Sequence, residues 1–267
     1  MRASGRPAPG PPCPAQAGAA SPFPDPLRGA GHLTVHSNER GWQLAFARRR
    51  CLAKQAIPAT KGGTAQHIES SLRRLRTDHI DLRQFHGISS FERLAEVLRP
   101  GGALEDVQQA RRAGKIRHIG FSSHSLRVAL EAVASGRFET VQFPLNFVSA
   151  EAAEELVSLA RAHDVGFIAM KPFAGGRIRD ANLAVKYLLQ FDDVVPDPGI
   201  ERVGEIEEIV DIVNSGQWKL TPPERQAIKE IRARVGTRFC RQCGYCMPCP
   251  NGVDIPHIFE LYNDGAM

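Results

Sequence analysis

The chain has 267 residues, 42% of them hydrophobic, which suits one large domain or one domain with an appendage. Its net charge of +5 belongs to the first 60 residues, while the remainder is within one charge of neutral, which argues against a basic nucleic-acid groove. No apolar run reaches the roughly 18–20 residues that cross a bilayer, and the N-terminus lacks the continuous apolar stretch of about 7–15 residues of a secretory signal; the expectation is a soluble, cytoplasmic chain with no membrane and no nucleic-acid partner.

Residues 1–36 are rich in Pro, Ala, Gly and Ser and read as a disordered leader. From Ser37 onward, apolar β-type runs alternate with amphipathic helical stretches. "AIPATK" (56–61) precedes a helix over 65–76, in which Ile68, Leu72 and Leu75 share a face. "HIDLRQFHG" (79–87) precedes a helix over 103–114, and "KIRHIGFSS" (115–123) one over 125–136. "TVQFPLN" (140–146), "VGFIAMKPF" (165–173) and "DVVPDPGI" (193–200) precede helices over 149–164, 181–191 and 203–216. Gly114, Gly136 and Gly216 stand where helices should stop. The predicted organisation is a leader (1–36), a barrel-like domain (37–220) and a C-terminal helix with a cysteine-rich segment (221–267).

Strict strand–helix alternation implies parallel strands with right-handed crossovers. Two architectures compete: a doubly wound sheet and a (β/α)8 barrel. The doubly wound form usually carries a glycine fingerprint in its first turn, and no G-x-G-x-x-G occurs in this chain. Polar residues stand instead at strand C-terminal ends, as Lys61, His86, Ser122, Ser123, Asn146 and Lys171. A barrel builds its active site on that rim. The predicted fold class is α/β, a TIM (β/α)8-type barrel with about six recognisable units and therefore incomplete, plus a small C-terminal iron–sulfur segment.

That segment contains C-x2-C-x2-C-x2-C-P, with Cys240, Cys243, Cys246 and Cys249 before Pro250. Four thiolates this close in sequence suit a [4Fe–4S] cube, whose irons lie on four corners that one winding loop can reach. Zinc is the rival, although four-cysteine zinc sites usually join two knuckles through a longer loop; disulfides or free thiols are the remaining alternative. Cys13 and Cys51 read as ordinary free thiols. A cube would carry electrons or simply staple the appendage.

"IPATKGG", "SSLRRLRTDHIDLRQFHG", "GALEDVQQARRAGKIRHIGFSSHS", "VQFPLN", "GFIAMKPFAGG" and "PDPGIERVGEIEEI" together resemble successive blocks of the aldo/keto reductases. The cysteine run resembles the branch of that family with an iron–sulfur tail. The resemblance spans about residues 37–262. It implies a TIM barrel that binds NADP(H) or NAD(H) across the strand C-terminal ends and acts on a small carbonyl substrate or with an electron-transfer partner. It places the family's catalytic Lys at Lys61 and its substrate-orienting His at His86. It places cofactor contacts at Ser122, Ser123, Gln142, Met170, Lys171, Gly175, Gly199, Ile200 and Glu208. Met170 stands where many members stack a Tyr on the nicotinamide, and Glu201 where a 2′-phosphate could be met.

The family tetrad also needs an Asp and a Tyr upstream of the Lys. Tyr187, Tyr245 and Tyr262 all lie downstream, and the only Asp before Lys61 is Asp25, in a Pro-rich stretch. The expectation is an N-terminal part truncated or replaced, leaving two unpaired sheet edges. Three functions follow: an NAD(P)-linked oxidoreductase, a catalytically impaired iron–sulfur carrier, or a truncated product without independent function. Losing a general acid typically costs about 10²–10⁴ in rate, which keeps the second reading open.

Overall fold

A computed structural model of the chain describes residues 34–38, 41–45, 53–56, 63–235 and 246–265. Strands β1 (Thr34–Asn38) and β2 (Gly41–Ala45) form an antiparallel hairpin. Thr34 to His36, at the end of the expected leader, pair with Ala45 to Gln43, and residues 1–33 lie outside the described residues.

Six parallel strands follow in sequence order: β3 (Ala53–Ala56), β4 (Ile80–Phe85), β5 (Ile116–Ser122), β6 (Thr140–Pro144), β7 (Gly166–Met170) and β8 (Val194–Asp197). The six βα units are as expected. The first strand begins earlier than expected: β3 occupies 53–56, pairing Ala53 with Leu82 and Ala56 with Phe85, and the rest of the expected run over 56–61 lies outside the described residues. β3 and β8 are the end strands, so the sheet of described residues is open there, and the β1–β2 hairpin lies beside β3 without joining its ladder.

The connections are helical: α1 (Gly63–Leu75), α2 (Phe91–Leu98), α3 (Ala103–Arg112), α4 (Leu126–Ala134), α5 (Glu151–Glu154), α6 (Leu156–Ala162), α7 (Ala181–Leu188) and α8 (Val203–Asn214). The helix α2 was not expected. Its signal is local: Ser90 caps it by accepting from the Arg93 N–H at 3.2 Å, and Leu94 and Val97 bury one stripe. The helix expected over 149–164 is split into α5 and α6 at Glu155. Gly114, Gly136 and Gly216 adopt φ of 76°, 65° and 67° just after α3, α4 and α8, the left-handed stop the sequence indicated.

Cross-strand register separates the two faces of the sheet. Ala56, Phe85, Phe121, Val141 and Phe167 stand opposite one another across five strands. Phe85, Phe121, Val141 and Phe167 are buried in the main core beneath the helices, where the Phe138 ring meets Phe121 at 4.8 Å and Phe85 at 6.2 Å. The neighbouring positions, Gln55, Gln84, Gly120 and Thr140, share the opposite face.

A second, smaller core packs α7 against α9 (Pro222–Val235), through Leu183, Ala184, Leu220 and Ile228. Glu224 anchors α9. It accepts from Lys186 at 2.8 Å, from Asn182 at 2.7 Å and from the Thr221 N–H at 2.7 Å, and the Lys186 bond chiefly holds its carboxyl down at about 2. The last helix, α10 (Ile255–Gly265), follows the cysteine segment and leaves Ile258, Phe259, Leu261 and Tyr262 exposed. No described helix is long and apolar enough to cross a membrane.

Candidate active site

The inner face of the sheet carries the chemistry. Because side chains alternate along a strand, Gln55 of β3, Gln84 of β4, Ser122 of β5, Gln142 of β6 and Asp197 of β8 project to the same side, near the strand C-terminal ends. His86 follows β4 and is exposed. Its Nδ1 lies 2.7 Å from Gln55 Oε1 and 3.4 Å from Ser122 Oγ. Ser122 Oγ is held in turn by the Gly87 N–H at 3.0 Å. Gln55 Nε2 donates to Gln142 Oε1 and, at 3.4 Å, toward Gln84 Oε1. Gln142 Nε2 donates to Asp197 Oδ2 at 2.5 Å. One hydrogen-bonded chain thus runs His86–Gln55–Gln142–Asp197.

Burial raises the Asp197 carboxyl from 3.8 to about 6, since a charge removed from water is penalised. Gln84 Nε2 is buried with no partner among the described residues. A buried donor left open in this way calls for an acceptor that the described residues do not supply, from ordered water or a ligand. Amides, hydroxyls and an imidazole at one rim form the donor and acceptor set that a nicotinamide carboxamide and a carbonyl oxygen require, so the residues present fit a nicotinamide dinucleotide.

The resemblance-derived residues divide by position. Ser122, Gln142 and His86 are brought together. Ser123 is fully buried, and its hydroxyl donates to Ser125 O at 3.2 Å and accepts from the Ser125 N–H at 3.1 Å, so it shapes the turn before α4. Asn146 likewise works locally, donating to Lys171 O at 2.9 Å and accepting from the Val148 and Ser149 N–H groups at 2.9 and 2.8 Å. That hold fixes the chain at Lys171, whose φ is 55°. Met170 ends β7 in register with Asp197, and Gly175, Gly199 and Ile200 sit in the loops after β7 and β8. Glu208 is exposed on α8. At the start of α8 the Glu205 carboxylate accepts from the Glu201 N–H at 2.8 Å and the Arg202 N–H at 3.2 Å. Lys61, Cys240, Cys243, Tyr245 and Asp25 lie outside the described residues.

Gln55, Gln84 and Asp197 were not anticipated from the sequence. The available signal was period-2 placement: polar residues inside short apolar strands, on the side away from the Phe85 row. Of the two described tyrosines, Tyr187 is packed edge-on against Phe147 and Phe191 at 6.0 and 5.6 Å, and Tyr262 lies on exposed α10. In the cysteine segment Cys246 and Cys249 are free thiols, exposed and half-buried. No group of three metal-ligating side chains occurs among the described residues.

These features define a class: an α/β protein of the parallel, barrel type, with its polar constellation on the C-terminal rim. The sequence pattern of the aldo/keto reductase family matches residues 53–195, and the chain belongs to that family. It is 29% identical over 204 residues to an aldo-keto reductase of Metarhizium robertsii, covering 69% of this chain and 51% of that protein. It is 33% identical over 225 residues to an uncharacterized oxidoreductase, YrpG, of Bacillus subtilis, covering 70% of this chain and 64% of the relative. The chain therefore spans about half to two thirds of the length of these relatives. Its fold is similar to that of an aldo-keto reductase from Klebsiella pneumoniae solved in complex with NADPH, with a TM-score of 0.57, 19% identity, and coverage of 69% of this chain and 70% of that one.

Proposed function

We propose that the chain is an aldo/keto reductase-type oxidoreductase. It would move a hydride between NADP(H) or NAD(H) and a small carbonyl compound, with a [4Fe–4S] cluster at Cys240, Cys243, Cys246 and Cys249 available to an electron-transfer partner. The observation that carries this reading is the row His86, Gln55, Ser122, Gln142 and Asp197 on the C-terminal rim of the sheet. The dinucleotide, when bound, supplies a hydride to the carbonyl carbon. His86 holds the substrate oxygen, and Lys61, which follows β3 in sequence, provides the cation that favours negative charge developing there. Ser122 and Gln142 would hold the carboxamide end, with Ser123 fixing the turn beside them through its bonds to Ser125. Met170 would face the nicotinamide, and Lys171, Gly175, Gly199, Ile200 and Glu208 would hold the pyrophosphate and adenosine. Glu201 stands at the start of α8 where a 2′-phosphate would be met, and Arg202, paired with Glu205 at 3.0 Å, is the cation beside it, so both nucleotides enter the test.

The test is a calorimetric titration of the full chain with NADH and with NADPH. Saturable binding of one dinucleotide, weakened about tenfold by Gln142→Ala as expected for losing one hydrogen bond at a buried polar contact, supports the proposal. No binding of either nucleotide removes it.

A second reading rests on a specific observation: neither described tyrosine stands at the rim. The chain would then bind nucleotide and cluster while turning over slowly, as an impaired redox carrier. Steady-state reduction of a small aldehyde at saturating cofactor separates the two readings.

A further inference from the structure

We infer that the Asp197 carboxylate is a positioning residue that fixes the tautomer of His86 from three hydrogen bonds away. This deepens the proposed function and rests on it for the role of His86, but its physical content is independent of cofactor and substrate.

An ionised carboxylate only accepts hydrogen bonds. The atom of Gln142 that faces Asp197 Oδ2 at 2.5 Å must therefore be the donor, Nε2. Its other atom, Oε1, is then an acceptor, and the partner it meets is Gln55 Nε2. That orientation of Gln55 is reinforced by Gln84 Oε1, a second acceptor 3.4 Å from the same Nε2. Gln55 is left with Oε1 pointing at His86, 2.7 Å from Nδ1. An acceptor at that distance requires a proton on Nδ1. Each amide has one donor end and one acceptor end, so the polarity set at β8 passes through β6 and β3 to the residue after β4 without any proton moving. Reversing it would bring two acceptors together at Asp197, a carboxylate already half removed from water.

In the neutral ring the proton on Nδ1 leaves Nε2 as a bare acceptor, and Nε2 has no partner among the described residues. The group that neutral His86 meets is therefore a hydrogen-bond donor, such as the hydroxyl of an alcohol, and a carbonyl oxygen is met only by the doubly protonated ring. In these terms Asp197 decides which of the two oxygen species, hydroxyl or carbonyl, the neutral site prefers. The residue does so from the far end of the sheet, without touching the substrate.

The experiment is ¹⁵N NMR of the histidine side chains in the full, ligand-free chain, with the His86 resonances assigned by their loss in His86→Gln. The expected result is His86 predominantly in the Nδ1–H form near pH 7.5, and a fall of roughly tenfold in the Nδ1–H to Nε2–H ratio in Asp197→Asn, the size of one charge-assisted hydrogen bond. Asparagine offers a donor as well as an acceptor, so it keeps the shape and loses the polarity. Gln142→Leu cuts the same chain in the middle and is expected to do the same. His86 in the Nε2–H form in the parent, or a ratio unchanged in both variants, overturns the inference. Because no nucleotide or substrate is present, failure of this relay and failure of the proposed activity are read separately.

Discussion

Arg83 is buried and Asp197 half-buried against the ordinary preference of a charge for water, and each makes a prediction. The Asp197 carboxyl titrates near 3.8 when unfolded and at about 6 when folded, because burial disfavours its charge. The folded chain therefore holds the extra proton between about pH 4 and 6, and stability falls as pH rises through that window. Above it the penalty is complete. Asp197→Asn removes the titration, so its stability relative to the parent should improve by roughly 2–3 kcal/mol between pH 4 and 7.5, measured by urea unfolding at both values. Parallel changes in parent and variant would show that the carboxyl is not so perturbed. Arg83, on the helix-facing side of β4, is 3% exposed, and Nη1 has no partner among the described residues. Burial lowers its pKa to about 10. Replacing an uncompensated buried charge with an apolar chain of similar length is expected to stabilise by about 1–3 kcal/mol, so Arg83→Met should raise the melting temperature by several degrees. A fall would mean that a carboxylate from the residues outside the described set sits against it.

At the scale of elements, the tightest approach is between β5 and β6. A Cβ at Gly120 would lie 1.9 Å from Thr140 Oγ1 and 3.0 Å from Thr140 O. The hydroxyl could rotate, but the backbone oxygen could not. Gly120→Ala is expected to cost about 1–3 kcal/mol and to shift β6, and with it Gln142. The dinucleotide titration should weaken in step with the loss of stability. A variant that keeps both would mean that the sheet yields at this point without moving the rim. The α9 anchor works in the opposite sense. Lys186 and Glu224 are both largely shielded, with side chains 10% and 17% exposed, and Arg232 donates to Phe147 O and lies 5.8 Å from the Tyr187 ring centroid. These contacts hold α9 onto α7 and explain why Tyr187 is spent on packing.

For the whole molecule, the decisive features are a sheet that is open among the described residues and a cysteine run beyond it. A parallel sheet normally has both faces covered. Here the inner face carries Gln, Ser and Asp, and Val195 is 43% exposed on it. Gln84, Ser122 and Gln142 on that face are themselves buried, so a ligand reaches it at the rim, beside exposed His86. At the C-terminus, anaerobically purified protein should contain about four irons and four acid-labile sulfides per chain, as one cube requires, and its visible absorbance should bleach on addition of NADH or NADPH if nucleotide and cluster communicate. Iron without bleaching favours the carrier reading, and zinc or no metal removes the cluster.

How much of this was written in the sequence varies by feature. The six βα units were legible, because apolar runs of two periods alternate and glycines with positive φ close the helices at Gly114, Gly136 and Gly216. His86 and Ser122 were read as candidates because they end recognisable strands, and Gln142 by the family resemblance alone. The β3 register was not: "AKQA" has little β propensity of its own, and pairing with β4 decides its place. The roles of Ser122 and Ser123, adjacent and alike in sequence, separate only when backbone direction turns one hydroxyl to the rim and the other into its own turn. The chain from Asp197 to His86 could not be read at all, because its links join residues 55, 87 and 31 positions apart. Strand periodicity gives the face on which each residue stands. Only the order and stagger of the strands determine which amide meets which carboxylate, and hydrogen bonding is too short-ranged for anything but that tertiary placement to settle it.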